Sequence, residues 1–233
     1  MIDGNQELTI LLYHGVTQVD SMGIENYSGK HIKTDSFREQ MTYIKNHCQS
    51  LSMDTVIDHY QSQIPFPNDA VAVTFDDGFK NNYTNAFLIL SEMNIPATFY
   101  VTTGFIDTDQ MFWVDIIEDS INRTQKDELT ITLEGQIRHF PLNSNSLKIY
   151  AIQSVKGYCK KIKNDEKNQI IRDLKEFTKV NVNVHSCDNY LKMTWDDISE
   201  INRHPLMTIG GHTISHQILT SLSQEDMEME ITQ

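Results

Sequence analysis

Apolar residues fall along this chain in two rhythms, short continuous runs and helical spacings, and the alternation of the two outlines its elements. Leu8-Thr9-Ile10-Leu11-Leu12-Tyr13-His14-Gly15 is an apolar run closed by glycine, which predicts a strand buried on both faces, as in a parallel sheet. Ser36 with Glu39 three residues on predicts a capping box. Phe37, Met41, Ile44 and Cys48 then fall on one helical face. A second helix is expected around 54–63, closed by Ile64-Pro65-Phe66-Pro67. Ala70-Val71-Ala72-Val73-Thr74-Phe75 predicts another buried strand, 82–93 a helix stopped by Asn94-Ile95-Pro96, and 97–101 a third strand. Strand, helix, strand at this spacing is a βαβ unit with parallel strands, so the class is α/β.

From about Asp107 to Met193 the rhythm breaks. Two alternating runs, 129–133 and 137–140, flank Glu134-Gly135-Gln136 and predict a small hairpin. The polar stretch 146–180 carries Ile162, Ile170, Leu174 and Phe177 at helical spacing. Residues 107–193 therefore read as an α+β insertion within one domain spanning 1–233. Beyond it, Thr194 and Asp197 predict a capping box, Met207-Thr208-Ile209-Gly210-Gly211 a fourth strand, and Ser223 with Asp226 the cap of a last helix.

Composition narrows the class. The chain has 233 residues, with 19 basic against 32 acidic side chains and a formal charge of −13. That length fits one domain or two small ones. The charge argues against non-specific binding to nucleic acid, which needs Lys and Arg to displace counterions. No apolar run approaches the roughly 20 residues that cross a bilayer. Met1-Ile2-Asp3-Gly4-Asn5-Gln6-Glu7 has neither the positive nor the apolar region of a signal peptide. Cys48, Cys159 and Cys187 are odd in number and widely spaced, which reads as unpaired thiols in a reducing compartment.

Two clusters follow predicted strands, where an α/β fold builds its sites. In Thr74-Phe75-Asp76-Asp77-Gly78, two adjacent carboxylates beside a buried strand repel each other and lose hydration. A divalent cation bound by one of them relieves this and leaves the other to act as a base; a solvated turn with an aspartate cap is the other reading. In His212-Thr213-Ile214-Ser215-His216, imidazoles at i and i+4 on a helical face would lie about 5–6 Å apart, within reach of one metal ion. Two His, one carboxylate and an open position form a standard catalytic zinc set. Surface or core histidines are the other reading of that pair alone, but each cluster supplies what the other lacks. His139, His185 and His204 have no partners at ligand spacing and read as surface residues. Phe112-Trp113 reads as an anchor of the insertion rather than a sugar-stacking platform, and the tail 225–230 as the solvated face of a helix.

Both clusters, in this order, resemble the first two motifs of the polysaccharide deacetylases, the NodB-homology domain of the family 4 carbohydrate esterases. Leu12-Tyr13-His14, Ile95-Pro96-Ala97-Thr98-Phe99-Tyr100-Val101 and Leu219-Thr220-Ser221-Leu222-Ser223 fit the same context. The resemblance implies a distorted (β/α) barrel and a hydrolase that removes acetyl groups from N-acetylated, less often O-acetylated, polysaccharide. It implies Asp77, His212 and His216 as ligands of a divalent metal, most often zinc. It also implies Asp76 as the base toward a metal-bound water that attacks the acetamide carbonyl; the place of His14 beyond the first strand puts it at the same rim, as part of the site or only as its support.

The resemblance further implies three later motifs, with a general acid and oxyanion-hole donors, and none is found before the chain stops at Ile231-Thr232-Gln233. With 107–193 set aside, four core strands can be identified, too few to close the barrel. The expectation is therefore the N-terminal part of such a domain, truncated after its fourth strand and weakly active alone. Self-association or a missing C-terminal part would complete it. A small-molecule amide hydrolase on the same scaffold and a non-catalytic carbohydrate-binding or assembly remnant are the competing readings. The sequence alone points to the cytoplasm and the resemblance to the cell envelope.

Overall fold

The computed structural model describes residues 7–232; Met1–Gln6, the stretch read above as lacking a signal peptide, and Gln233 lie outside the described residues. In chain order the elements are β1 (Leu8–Tyr13), β2 (Gly15–Thr17), β3 (His31–Lys33), α1 (Thr34–His47), β4 (Gln49–Leu51), α2 (Met53–Ser62), β5 (Ala70–Phe75), α3 (Leu88–Met93), β6 (Ala97–Val101), α4 (Trp113–Arg123), β7 (Glu128–Leu133), β8 (Gln136–Pro141), α5 (Asn145–Cys159), α6 (Asn164–Thr178), α7 (Trp195–Asn202), β9 (Met207–Gly211) and α8 (Gln224–Thr232). They divide into two units. One comprises Met1–Gln18, Lys30–Thr108 and Leu191–Ile214; the other comprises Val19–Gly29, Asp109–Tyr190 and Ser215–Gln233.

The first unit is built on a parallel sheet in the order β1-β5-β6-β9, with β4 also paired to β5. These four strands are the four apolar runs identified in the sequence, and the fold is α/β with a mostly parallel sheet. One face alternates Leu11 and Tyr13 on β1, Val71, Val73 and Phe75 on β5, Ala97, Phe99 and Val101 on β6, and Met207 and Ile209 on β9. It packs against Phe37, Met41 and Ile44 of α1, Leu90 of α3, and Ile198 and Ile201 of α7. Burying each of these large side chains contributes about 1.5–3 kcal/mol. Phe75 stacks on Phe99 at 4.9 Å between ring centres, in keeping with their pairing across β5 and β6.

Three local expectations are corrected here. β1 is not buried on both faces: it ends the strand order, and Ile10 and Leu12 are 49% and 56% exposed. α1 starts at Thr34, two residues before the expected cap, so Ser36 lies inside the first turn and the cap position falls on Lys33, with no side-chain cap hydrogen bond to the helix. The helix over 82–93 opens with a wide π-type turn, Asn82–Phe87, before continuing as α3. By contrast, Thr194 and Asp197 form the expected reciprocal capping box at α7.

The second unit pairs β7 and β8 as an antiparallel hairpin joined through Glu134 and Gly135, which both take positive φ. Its core gathers Ile117 and Ile121 of α4, Leu129 and Ile131 of β7, Ala151, Ile152 and Val155 of α5, and Ile170 and Leu174 of α6. Among the described residues no helix is long and apolar enough to cross a membrane.

Candidate metal centre

Parallel pairing brings the motif-bearing strand ends to one level. Tyr13 pairs with Phe75 and Phe75 with Phe99, so His14 and Asp76 follow neighbouring strands at the same end of the sheet. The Asp76 N–H donates to the Tyr13 carbonyl at 2.9 Å. Past it, the Met193 N–H donates to the Gly78 carbonyl at 3.0 Å, and the Lys80 N–H donates to the Leu191 carbonyl at 2.8 Å, which fixes the turn. Asp77 sits in that turn with φ of 78° and is 4% exposed, whereas Asp76 and His14 are half-buried. A non-glycine residue in the left-handed region persists only where its surroundings hold it, and such outliers concentrate at functional sites.

His212 follows β9 and is held at both ends of its peptide units. Its N–H donates to the Val101 carbonyl at 2.8 Å, and the Thr102 hydroxyl donates to its carbonyl at 3.2 Å. The next residues are pinned by donation from Thr103 N–H to Thr213 O and from Gly104 N–H to Ile214 O. A side chain at Gly104 would place its Cβ 2.5 Å from that Ile214 oxygen, so only glycine permits the approach. The segment 212–218 is irregular rather than helical, which corrects the expected i, i+4 helical face. Thr213 and His216 adopt φ of 63° and 55°, incompatible with a continuing right-handed helix.

Within the first unit, Asp77 Oδ1 lies 3.7 Å from His212 Nε2. That is too long for a hydrogen bond and close to the about 3.4 Å that separates two donors held near 2.1 Å from one tetrahedral ion. A buried carboxylate facing an imidazole at this separation fits a divalent metal ion. Asp77 and His212 are the residues of this unit that could hold it. His216 belongs to the second unit, where its ring packs on Phe112 at 4.8 Å between centres. Phe112 is 1% exposed, so it supports an imidazole instead of offering a face to sugar.

Tyr100 lies within β6 and outside both strand-end motifs, so its sequence position marks it only as part of a strand. Its ring crosses the neighbouring strand at Gly210, where a Cβ would fall 2.5 Å from a ring carbon. Burial, then the negative charges of Asp76 and Asp54, push its phenol pKa upward. The other missed residue is Glu230: the tail is not wholly solvated, because this carboxylate is 7% exposed and accepts the Ser215 N–H at 2.9 Å. His139 and His185 are exposed, and His204 packs edge-on against Phe87.

Comparison with known proteins bears on this arrangement. The family profile described as Polysaccharide deacetylase matches residues 63–140 and 156–233, more than half of the chain. A poly-beta-1,6-N-acetyl-D-glucosamine N-deacetylase of Staphylococcus aureus is 31% identical over 98 residues, covering 42% of this chain and 32% of that protein. The protein of the same name in Escherichia coli is 32% identical over 78 residues, covering 33% of this chain and 12% of its own length. The match thus spans about a third or less of the curated relatives. The solved Streptococcus pyogenes deacetylase PplD, in complex with acetate, shares the fold with a TM-score of 0.53 at 17% identity, covering 96% of this chain and 64% of that one. By the extent of the profile match, and with both strand-end motifs inside it, the chain belongs to the polysaccharide deacetylase family.

Proposed function

We propose that this chain is a metal-dependent N-deacetylase of an N-acetylated polysaccharide, or the metal-binding portion of one, with an insertion near 107–193. The observation that carries the reading is the 3.7 Å approach of the buried Asp77 carboxylate to His212 in a chain of this family. Asp77, His212 and His216 would hold the ion. When bound, a zinc-class ion lowers the pKa of a water and polarises a carbonyl oxygen as a Lewis acid.

The chain's own residues supply the rest. Asp76, adjacent to a ligand and half-buried at the strand end, would accept the proton of the attacking water. His14, level with Asp76 on the neighbouring strand, lines the same rim. Hydrolysis adds water across the amide C–N bond, releasing acetate and a free amino sugar. The glycan would be a β-1,6-linked N-acetylglucosamine polymer or a close relative, the substrate class named for the curated relatives.

The test is acetate release from N-acetylglucosamine oligomers by the metal-loaded protein, with and without chelator. Chelator-sensitive release supports the proposal. Full metal occupancy with glycan binding and no acetate would replace it with a binding role.

A further inference from the structure

His216 stands on a backbone with φ of 55°, in the left-handed region that few residues other than glycine adopt. Its two sequence neighbours are both tied to one carboxylate. Glu230 of α8 accepts the Ser215 N–H at 2.9 Å, the Ser215 hydroxyl in a short hydrogen bond, and the Gln217 side-chain amide at 3.1 Å. The same Gln217 amide donates to the Ser215 hydroxyl oxygen at 2.9 Å, closing a ring around the residue between them.

The network continues on the far side. The Asn164 side-chain amide at the start of α6 donates to Gln217 Oε1, and the Lys167 ammonium donates to Asn164 Oδ1 at 2.6 Å. Lys167 is 4% exposed and its ammonium lies over the Trp113 ring at 5.3 Å. A buried anion and a buried cation thus terminate one polar chain, which lessens the cost of burying each. The other acidic groups of α8's first turns, Glu225, Asp226 and Glu228, are exposed, so Glu230 is set apart by position rather than composition.

We propose that Glu230 is a positioning residue for the metal centre, acting through Ser215 and Gln217 to hold His216 in the orientation that binds the ion. This rests on the reading of His216 as a ligand. A carboxylate that orients a ligand without touching the metal contributes about 10–100-fold in affinity. Hydrogen bonds to a charged acceptor are stronger than neutral ones, and the strained loop depends on three of them.

The experiment titrates Co2+ into the metal-stripped full chain, reading affinity and the ligand-field spectrum for wild type, Glu230→Gln and Ser215→Ala, with circular dichroism as the check on folding. Glu230→Gln, which sets an amide against donors, is expected to weaken Co2+ binding about 10–100-fold and to alter the spectrum. Ser215→Ala keeps the backbone donor and is expected to weaken it about 3–10-fold; this variant decides the matter if Glu230→Gln does not fold. Wild-type affinity and spectrum in a folded Glu230→Gln, or in Ser215→Ala should that be the arbiter, overturn the positioning role and leave the ligand reading intact. A wild-type protein that takes up no Co2+ overturns both.

Discussion

The Oδ1 atom of Asp77 lies 3.7 Å from Nε2 of His212, although one residue follows β5 and the other follows β9. Between those strands in the sheet lies β6, whose Val101 carbonyl accepts the His212 N–H. The pair is therefore built by three adjacent parallel strands ending together.

If this pair holds an ion, the protein purified without chelator carries about one zinc-class metal per chain, measurable by plasma mass spectrometry. Asp77→Asn and His212→Ala are each expected to reduce affinity by at least about 100-fold, more than loss of an outer partner costs. Chelator should lower the melting temperature of wild type, because an ion bound only by the folded state stabilises it. An unchanged melting temperature after the metal is stripped would contradict this.

Asp76 and Asp77 should separate cleanly. Asp76→Asn removes the proposed base while leaving the ligand set in place, so metal content stays at the wild-type level and kcat falls about 10²–10⁴-fold. Parallel loss of metal in Asp76→Asn would reassign it as a ligand.

Gly210→Ala probes the crossing of β6 and β9. The added methyl would sit 2.5 and 2.6 Å from two carbons of the Tyr100 ring, so the ring must move. We expect about 1–3 kcal/mol of destabilisation by chemical denaturation, the usual cost of overpacking, largely recovered in Gly210→Ala with Tyr100→Ala. A neutral Gly210→Ala would show that Tyr100 is not held over this strand.

The α7 cap gives a calibrated comparison. Thr194 accepts the Asp197 N–H, and Asp197 accepts both the Thr194 N–H at 2.7 Å and the Lys80 ammonium at 2.6 Å. Thr194→Ala is expected to cost about 1 kcal/mol, and Asp197→Ala more, since it also leaves Lys80 without this partner. Equal effects would mean that the Lys80 pair contributes nothing.

Cys187 offers a pH test. Burial, followed by its hydrogen bond to Glu25, pushes the thiol from 9.0 up to about 12. The folded chain then keeps a proton that the unfolded chain loses, so this contribution to stability is full below pH 9 and declines toward pH 12. Iodoacetamide labelling of Cys187, followed by peptide mass, should keep accelerating to pH 11. A plateau near pH 9 would contradict the shift.

The four sheet strands and the α7 cap were legible because they rest on short-range rules: apolar runs, a Thr three residues before an Asp, a proline after a helix. β2, β3 and β4 span three residues each, too short for any periodicity to register. The expected HxxxH helix failed for a different reason. Spacing alone cannot distinguish one helical turn from an irregular loop, and here hydrogen bonds from Thr103 and Gly104 hold the backbone out of helix. Glu230 was hidden among acidic neighbours of the same composition, and Tyr100 within a strand whose pattern only said buried.

By itself, the order of residues determined the α/β class, the parallel strand set and the two motifs that place the chain in its family, because each is encoded within a few consecutive positions. Tertiary structure alone decided which half of the Asp pair is buried, that β1 ends the strand order, and that a carboxylate on the last helix grips both neighbours of His216. Those are properties of burial and of hydrogen bonds between residues distant in sequence, and they exist only once the strands and helices have packed.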